Sequence, residues 1–333
     1  MFFGKDVEGV IAYGIVGGVI VVLGDPVCAE EDFAQLLMDF RDYCAKREYQ
    51  CIFMGTTNQH LKVYETLGYH YVKCGEEARF ALADYQISGK KMAKMRMNIN
   101  HAKNAGFETY EYKPNERRNP EIEKAFKAVS EDWMKSKKSG MLSFSIGSVG
   151  LEDPMDRRYF YAKDASGKIQ AFNVFCPFLG MGGWMADITR RTNDCPGGAT
   201  EKIMYDAFMV FKEEGYPWAS MGLSPLSNVR EGEEDSLTAK FLEFVGEKGN
   251  RFYGFQDLHR AKEKYAPSDW EPGYFVYSGS MLTPQMAYAA VRIQNTGGIG
   301  DFMGSFLRGF WHDFAQAKRK ELRQKKEQNV PSA

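Results

Sequence analysis

An acid and a base three positions apart are the strongest candidates for chemistry in this sequence. Asp187 and Arg190 lie near the end of GGWMADITRR (182–191), an otherwise apolar segment that predicts a strand. Such a pair can orient a substrate or move a proton, and it can equally be an ion pair that closes the end of a strand. The residues alone leave both interpretations open.

Several other kinds of chemistry have no support in the residue pattern. The six cysteines are scattered, with no C-x-x-C and no paired Cys/His spacing, which argues against zinc and against a disulfide framework and favours a reducing compartment. The five histidines form no convincing Ser-His-Asp order, so covalent catalysis is not expected. We therefore expect neither a metal nor a redox cofactor.

The bulk composition indicates a globular protein. The 333 residues are 44% hydrophobic and 26% charged, which suits two domains of ordinary size. The longest apolar run, GVIAYGIVGGVIVVLG (9–24), is too short and too rich in glycine for a spanning helix. It predicts instead a hairpin of buried strands around Gly17 and Gly18.

A weak internal repeat positions the candidate residues. Strand, helix, strand, helix and strand follow one another from VIVVLGDPV (19–27), and again from GGWMADITRR. The second copy is predicted to end with a helix over 236–249 and a strand over 250–256. The alternation predicts an α/β fold with two copies of one unit, in which helices flank mixed central sheets.

One string resembles the GNAT acyltransferase fold. NQHLKVYETLGY (58–69) has an Asn that can cap a helix and a Gly that can end it, as in the second half of that fold. GNAT enzymes bind coenzyme A through a glycine-rich turn at a helix N-terminus. The corresponding GDPVCAEED (24–32) and RRTNDCPGGATEK (190–202) do not match this turn, which disfavours an acyl-CoA donor without excluding it.

Nine short strings extend in order over most of the chain. They are GDP (24–26), LGY…KCGEEARFAL (67–82), SGKKMAKMR (88–96), FSIG (144–147), AFNVF (171–175), ADITRR (186–191), GLSPLSN (222–228), FYGFQDLHRAKEKY (252–265) and WEPGY (270–274). Together they resemble the cytosolic catalytic domain of bacterial phosphatidylglycerol aminoacyltransferases, the multiple peptide resistance factors. This resemblance implies a tandem of two GNAT-like units, in agreement with the repeat.

The resemblance also implies an activity. Family members transfer an aminoacyl group, typically lysyl or alanyl, from charged tRNA to the glycerol head of phosphatidylglycerol. This transesterification needs positioning, a base and oxyanion donors. The implied partners are aminoacyl-tRNA and anionic phosphatidylglycerol, with no cofactor, at the inner face of the cell membrane. Many members add a membrane flippase domain, which we expect to be absent from this chain, and the chain is expected to begin inside the first unit.

The family pattern Asp-x-x-Arg is retained at Asp187 and Arg190. The resemblance implies that Asp187 orients the substrate amino group or accepts a proton, and that Arg190 holds a phosphate or the terminal ribose of the tRNA. Lys262 matches a family lysine, and the resemblance implies that Lys262 binds the lipid phosphate or stabilises the oxyanion. Without the resemblance, Lys262 is typical of a solvated helix face.

Five further residues are candidates for contact with the substrate. They are Glu76, Glu77, Ser224, Lys264 and Glu271. Glu76 and Glu77 can select a cationic aminoacyl group or pair with Arg79, and both interpretations stay open. Glu271 precedes a proline and either fixes a loop or recognises the aminoacyl amine. Ser224 is typical of a turn or cap.

Two basic segments lie on a chain whose formal net charge is −1. The first has no acid between Tyr85 and Phe107. Its cations are Lys90, Lys91, Lys94, Arg96 and Lys103. They form either a solvated surface or a contact with the phosphates of a tRNA acceptor stem, which is recognised by charge and shape.

The second basic segment, KRKELRQKK (318–326), follows a predicted amphipathic helix. The aromatic residues of that helix are Phe302, Phe306, Phe310, Trp311 and Phe314. This stripe either lies on an anionic leaflet with the cations at the phosphates, or packs on the core of the protein.

Four regions are predicted from these patterns. A first GNAT-like unit covers 1–86, a basic connecting helix or linker 87–116, a second and catalytic unit 117–290, and an amphipathic helix with a basic tail 291–333. The leading hypothesis is a tRNA-dependent aminoacyltransferase that acts on a membrane lipid. The alternatives are an acyl-CoA N-acyltransferase and a non-catalytic module that binds lipid or tRNA.

Overall fold

Strands and helices alternate along the described part of the chain, residues 1–136, 147–229 and 255–294 of the computed structural model. The strands are β1 (Phe2–Phe3), β2 (Gly9–Ile11), β3 (Tyr13–Val16), β4 (Val19–Leu23), β5 (Val27–Cys28), β6 (Gln50–Thr56), β7 (Tyr69–Ala81), β8 (Glu108–Tyr112), β9 (Arg158–Lys163), β10 (Ile169–Phe178), β11 (Gly183–Arg191), β12 (Trp218–Pro225) and β13 (Asp269–Ser278). The helices are α1 (Phe33–Ala45), α2 (Leu61–Thr66), α3 (Ala93–Asn104), α4 (Pro120–Lys135), α5 (Ala199–Glu213), α6 (Phe255–Glu263) and α7 (Pro284–Gln294).

One large mixed sheet contains ten of these strands in the order β3-β4-β6-β13-β7-β12-β11-β10-β9-β8. The pairs β4/β6 and β11/β12 are parallel, whereas the other neighbours are antiparallel. The predicted α/β class with mixed central sheets is therefore confirmed. A separate small sheet has the order β1-β2-β5.

The predicted hairpin around Gly17 and Gly18 is confirmed. These residues join β3 to β4 with φ values of 54° and 80°. Glycine populates that region without a steric cost, and two successive positive φ values suit the turn of a two-residue hairpin. The run 9–24 therefore supplies strands, and Val19, Ile20 and Val21 of β4 are fully buried.

Helices cover both faces of the large sheet. Alternate residues of a strand point to opposite faces, so the partners of each residue identify its side. Along β9, Phe160 packs in the cluster that contains α5, and Tyr159 packs in the cluster that contains α4. In the first half of the sheet, Phe53 of β6 packs with α1 and its neighbour Ile52 with α7.

The two halves of the chain share strands. β13 follows the second half in sequence, yet it lies between β6 and β7 of the first half. β7 in turn pairs with β12 of the second half. The divisions at 1–86, 87–116, 117–290 and 291–333 stay a prediction. The region 87–116 contains α3 and β8, and β8 pairs with β9.

The end of the second repeat differs from its prediction. Phe255 and Gln256 were expected in a strand over 250–256, and they form the start of α6 instead. Apolar residues such as those of NRFYGFQ suit either a short strand or a buried helix, and their periodicity does not decide between the two. The helix predicted over 236–249 and the aromatic stripe at 302–314 lie outside the described residues.

Candidate active site between two diverging strands

A cleft opens where the parallel strands β11 and β12 part. They pair at Trp184 with Ala219 and at Met185 with Ser220, and no further register pair follows. Beyond this point β11 continues along β10, while β12 continues along β7 with a bulge after Ser220. The other parallel pair, β4 and β6, stays paired over its whole length from Val19 to Leu23. The splay therefore belongs to the second half of the chain.

A β-bulge in β11 determines where Asp187 points. Ala186 pairs with Phe175 and Ile188 pairs with Val174, so Asp187 is the extra residue between two pairs. In a regular strand, residues three apart lie on opposite faces, and one inserted residue removes this difference. Asp187 and Arg190 consequently lie on the same side of the sheet, the side that α4 covers.

The contacts of Asp187 and Arg190 agree with that placement. Asp187 Oδ1 accepts a hydrogen bond from the backbone N–H of Gly147 at 3.1 Å, and its Oδ2 lies 3.7 Å from the Cys176 thiol. A Cβ on Gly147 would come within 2.3 Å of the same carboxylate, so a larger residue there would have to displace the Asp187 side chain. Arg190 is buried, and its guanidinium lies 5.4 Å from the ring centroid of Trp133 in α4.

Electrostatics makes the burial of Arg190 costly. Removal from water lowers the pKa of Arg190, and the nearby charge of Asp187 acts in the opposite direction. The two side chains make no direct ion pair in the described structure, so the interpretation of a simple salt bridge at a strand end does not describe them. Their arrangement is that of a buried cation near an acid, on one side of the strand that borders the cleft.

Lys262 stands at the β12 side of the divergence. Its Nζ donates to the carbonyl oxygens of Gly222 and Leu223 at 2.8 and 2.9 Å, at the bulge just beyond Ser220. The residue is 5% exposed, so the alternative of a solvated helix face is wrong. Burial lowers the pKa of Lys262 to about 7, although the negative charge of Glu77 opposes this effect.

Glu76 is a buried carboxylate on β7 with three partners. It accepts hydrogen bonds from Lys73 Nζ at 2.7 Å and Asn228 Nδ2 at 2.8 Å, and His259 Nε2 lies 3.3 Å away. Its register partner on β12 is Ser224. The Ser224 hydroxyl is buried and has no hydrogen-bond partner among the residues that the structure describes. The strand position of Ser224 differs from the turn or cap that its sequence suggested.

Arg79 joins two other candidate acids. Its guanidinium contacts Glu77 at 3.0 Å and Glu271 at 3.3 Å, and these acids face each other across β7 and β13. Glu77 also accepts a hydrogen bond from the Ser220 hydroxyl. Of the two alternatives for Glu77, the structure displays the pair with Arg79. Glu271 belongs to a strand, rather than to the loop that the following proline suggested.

Lys264 lies apart from this group, although it is two residues from Lys262. It forms an ion pair with Glu201 in the first turn of α5, to which Asn98 of α3 also donates a hydrogen bond. Burial raises the pKa of Glu201, but the hydrogen bond and charge of Lys264 outweigh it, so the net shift is downward. Lys264 therefore connects α3, α5 and the end of α6.

The N-terminus of α5 is where a GNAT enzyme would hold the pyrophosphate of coenzyme A. Here α3 packs directly against it. Gly198, the N-cap of α5, has a φ of 97°, and a Cβ there would come within 2.0 Å of the Asn98 carbonyl oxygen. The first turn also contains the buried acid Glu201. A closely packed helix and an acid at this end both oppose a polyphosphate ligand.

The cations of the first basic segment (85–107) have two kinds of surroundings: its lysines are exposed, whereas Arg96 bonds to the backbone of the preceding loop. Lys90, Lys91, Lys94 and Lys103 are exposed, whereas Met95, Ile99 and Ala102 of α3 are buried. Arg96 donates to the carbonyl oxygens of Ile87 at 3.0 Å and Gly89 at 2.7 Å. Among the described contacts, these four lysines make no hydrogen bond to the loop, whereas Arg96 stabilises it.

Two other observations concern the membrane. Among the described residues, no helix combines the length and the apolar content that a membrane crossing requires. Phe302, Phe306, Phe310, Trp311 and Phe314 lie outside the described residues, so their contact with a membrane stays a prediction.

Sequence reasoning missed two members of the site, His259 and Trp270. The imidazole of His259 stacks on the indole of Trp270, with ring centroids 4.1 Å apart and planes 17° from parallel. His259 precedes Lys262 by three residues on α6, which places both on one helix face. That spacing was visible in the sequence, but Trp270 and Glu76 meet His259 only through the pairing of β7 with β13.

The sequence matches the family described as phosphatidylglycerol lysyltransferase, C-terminal, over residues 1–277. The phosphatidylglycerol lysyltransferase of Bacillus subtilis (strain 168) is 30% identical over 280 residues, and that of Staphylococcus epidermidis is 30% identical over 282 residues. Each comparison covers 83% of this chain and 32% of the relative, so the chain spans about a third of the length of these curated relatives.

A solved structure shows the same fold. The structure of L-PGS from Bacillus licheniformis is 28% identical, with a TM-score of 0.74, and the match covers 88% of both chains. The resemblance inferred from the nine strings is thereby confirmed.

Proposed function

Because the chain belongs to the C-terminal phosphatidylglycerol lysyltransferase family, we propose that it transfers an aminoacyl group, lysyl or alanyl, from charged tRNA to a headgroup hydroxyl of phosphatidylglycerol. The observation that carries this proposal is the cleft between β11 and β12. Asp187 and Arg190 belong to one of its two strands, and Lys262 contacts the other. Oppositely charged groups at a splayed pair of strands can hold two substrates together.

The chemistry requires little more than positioning. The attacking hydroxyl forms a new ester bond to the aminoacyl carbonyl carbon, and the ester bond to the ribose breaks. Holding ester and alcohol together supplies several kcal/mol of the barrier. Arg190 is suited to a phosphate or ribose, because a guanidinium presents several donors in a fixed plane. Asp187 is suited to the amino group of the aminoacyl ester.

Lys262 has a different role in this proposal. Two of its protons are held by the carbonyl oxygens of Gly222 and Leu223. A third proton, when present, can be donated to the lipid phosphate or to the oxyanion. Because the pKa of Lys262 is lowered to about 7, its charge can change near neutral pH.

The exposed lysines of α3 are the proposed contact for the tRNA. Lys90 and Lys91 immediately precede α3, and Lys94 lies in its first turn. The phosphates of an acceptor stem are attracted by such a basic surface. The acceptor lipid and membrane attachment at the inner face of the cell membrane belong to the same proposal. No cofactor takes part in it.

Transfer from acyl-CoA is the weaker alternative. The N-terminus of α5 is covered by α3 and contains the acid Glu201, which opposes binding of a pyrophosphate there. A non-catalytic lipid- or tRNA-binding module is distinguished by mutation, because it would not depend on the charge of Asp187.

The test is a transfer assay. The full chain is mixed with phosphatidylglycerol vesicles and tRNA charged separately with labelled lysine or alanine, and label is followed into the organic phase. We expect transfer from one of these tRNAs, and a loss of about 100-fold or more with Asp187→Asn. Asp84→Asn, at an exposed acid, is the matched control. Absence of transfer by folded wild-type protein would refute the proposed function.

A further inference from the structure

His259 is a histidine held from two sides. Its ring stacks on Trp270, and its Nε2 lies 3.3 Å from Oε2 of the buried Glu76. Glu76 is itself fixed by Lys73 and Asn228. A ring held by a carboxylate and an aromatic plane has its orientation determined before any ligand arrives.

The contact with Glu76 determines the tautomer that His259 adopts when it is neutral. A proton on Nε2 allows a hydrogen bond to the carboxylate, so Nδ1 carries the lone pair. Among the described residues, Nδ1 of His259 has no hydrogen-bond partner. The side chain of His259 is 21% exposed, so a ligand can reach this ring.

His259 lies beside the β12 edge of the cleft. His259 and Lys262 share one face of α6, and Lys262 binds the β12 bulge where the cleft opens. Ser224, the register partner of Glu76, lies on the same stretch of β12 and has a buried hydroxyl without a partner in the described chain. An oriented imidazole therefore stands close to the strand that borders the proposed reaction site.

We infer that His259 is the proton carrier of the acyl transfer, with Glu76 and Trp270 as positioning residues. This inference rests on the proposed function. His259 Nδ1 accepts the proton of the attacking lipid hydroxyl as its oxygen bonds to the ester carbonyl carbon. As the tetrahedral intermediate collapses, the bond to the ribose oxygen breaks and the imidazolium returns the proton to that oxygen. One ester bond forms and one breaks, and His259 ends unchanged.

The charged groups around His259 come from three elements. β7 contributes Glu76, its partner Lys73, and Glu77, while β13 contributes Glu271 and α6 contributes Lys262. All of these groups remain when His259 is replaced, so a change in the pH profile after replacement reports the imidazole itself.

The experiment compares His259→Ala and His259→Gln with wild type in the lipid transfer assay across pH 5.5 to 9. We expect kcat to fall about 100-fold in each variant with little change in the KM for tRNA, and the acidic limb of the profile to disappear. Added imidazole should restore part of the rate of His259→Ala. His70→Gln, at an exposed histidine of β7 outside the cleft, should keep the wild-type rate.

His259→Gln retains a donor for Glu76 and a planar group for Trp270. This variant is therefore expected to fold like wild type, so that a loss of rate reports the missing imidazole. A folded His259→Gln with the wild-type rate and pH profile would overturn the inference while leaving the proposed function intact. A rate loss without imidazole rescue and with an unchanged profile would also overturn it. Absence of transfer by folded wild-type protein would refute the proposed function, and with it the role of His259 as proton carrier.

Discussion

The buried amine of Lys262 makes the stability of the protein depend on pH. In the folded chain, burial lowers the pKa of Lys262 to about 7, with Glu77 opposing. In the unfolded chain the same ammonium is in water, with an ordinary lysine pKa of about 10.4. Between these two values the unfolded chain binds more protons than the folded chain, so the free energy of unfolding rises with pH.

The size of the effect follows from the two pKa values. A full difference of one proton contributes about 1.4 kcal/mol per pH unit. At pH 7 the folded Lys262 is still about half protonated, so the gain from pH 7 to pH 9 is about 2 kcal/mol. Lys262→Met removes this titration. The free energy of unfolding of wild type minus that of Lys262→Met should therefore increase by about 2 kcal/mol over this range.

Urea unfolding followed by far-ultraviolet circular dichroism at pH 7, 8 and 9 measures this difference. All other titrations are common to both proteins and cancel in the subtraction. Lys91→Met is the control, because Lys91 is exposed and its surroundings change little on unfolding. A difference that stays constant or decreases as the pH rises would refute the reasoning that Lys262 is buried with a lowered pKa.

Two further predictions concern the packing of α3 and its exposed face. Gly198→Ala should lower the stability by about 1–3 kcal/mol, because of its positive φ and the Asn98 carbonyl; thermal melting tests this against Gly197→Ala, whose Cβ meets nothing within 4 Å. Equal melting temperatures for the two variants would contradict the close approach. The three exposed lysines to be replaced together by Glu are Lys90, Lys91 and Lys94. Their replacement should weaken tRNA binding and reduce its salt dependence by about 0.7–0.9 per lost contact, measured by fluorescence anisotropy; an effect no larger than that of the exposed Lys124→Glu on α4 would exclude this surface.

The acids of the cleft illustrate how pairing limits their possible roles. Glu77 and Glu271 both form ion pairs with Arg79, and Glu76 forms an ion pair with Lys73. A buried carboxylate with a cationic partner is already compensated, so it has less to offer a second cation. Asp187 differs, because its direct described contacts are a backbone N–H and a thiol, and the nearby Arg190 makes no direct ion pair with it among the described contacts. This contrast favours Asp187 over the three glutamates for recognition of a substrate amino group.

The shared strands explain why the two repeats form one sheet. β13 pairs with β6 through four residues from Tyr274 to Tyr277 and with β7 through ten residues from Asp269 to Ser278. Because β13 comes last among the described strands, the first half of the sheet is completed only after the chain of the second half is in place. Contacts between strands so distant in sequence close long loops and are reached late in folding.

The local order of the chain follows from the sequence by itself. Alternating strand and helix patterns predicted the α/β class, the Gly17-Gly18 pair predicted the hairpin, and nine ordered strings predicted the family. These features depend on residues close to one another, whose periodicity and turn preferences act over a few positions. The pair of Asp187 and Arg190 was also visible, since its spacing is local.

Only the tertiary structure decided how these residues meet. The bulge at Asp187 places this side chain on the same face as Arg190. The bulge exists because the register of β11 against β10 shifts at this point. The burial of Lys262 and the contact of His259 with Glu76 depend on α6 packing against β12 and β7. Such contacts join residues that are far apart in the chain, and their free energy depends on the whole packed sheet rather than on any local pattern.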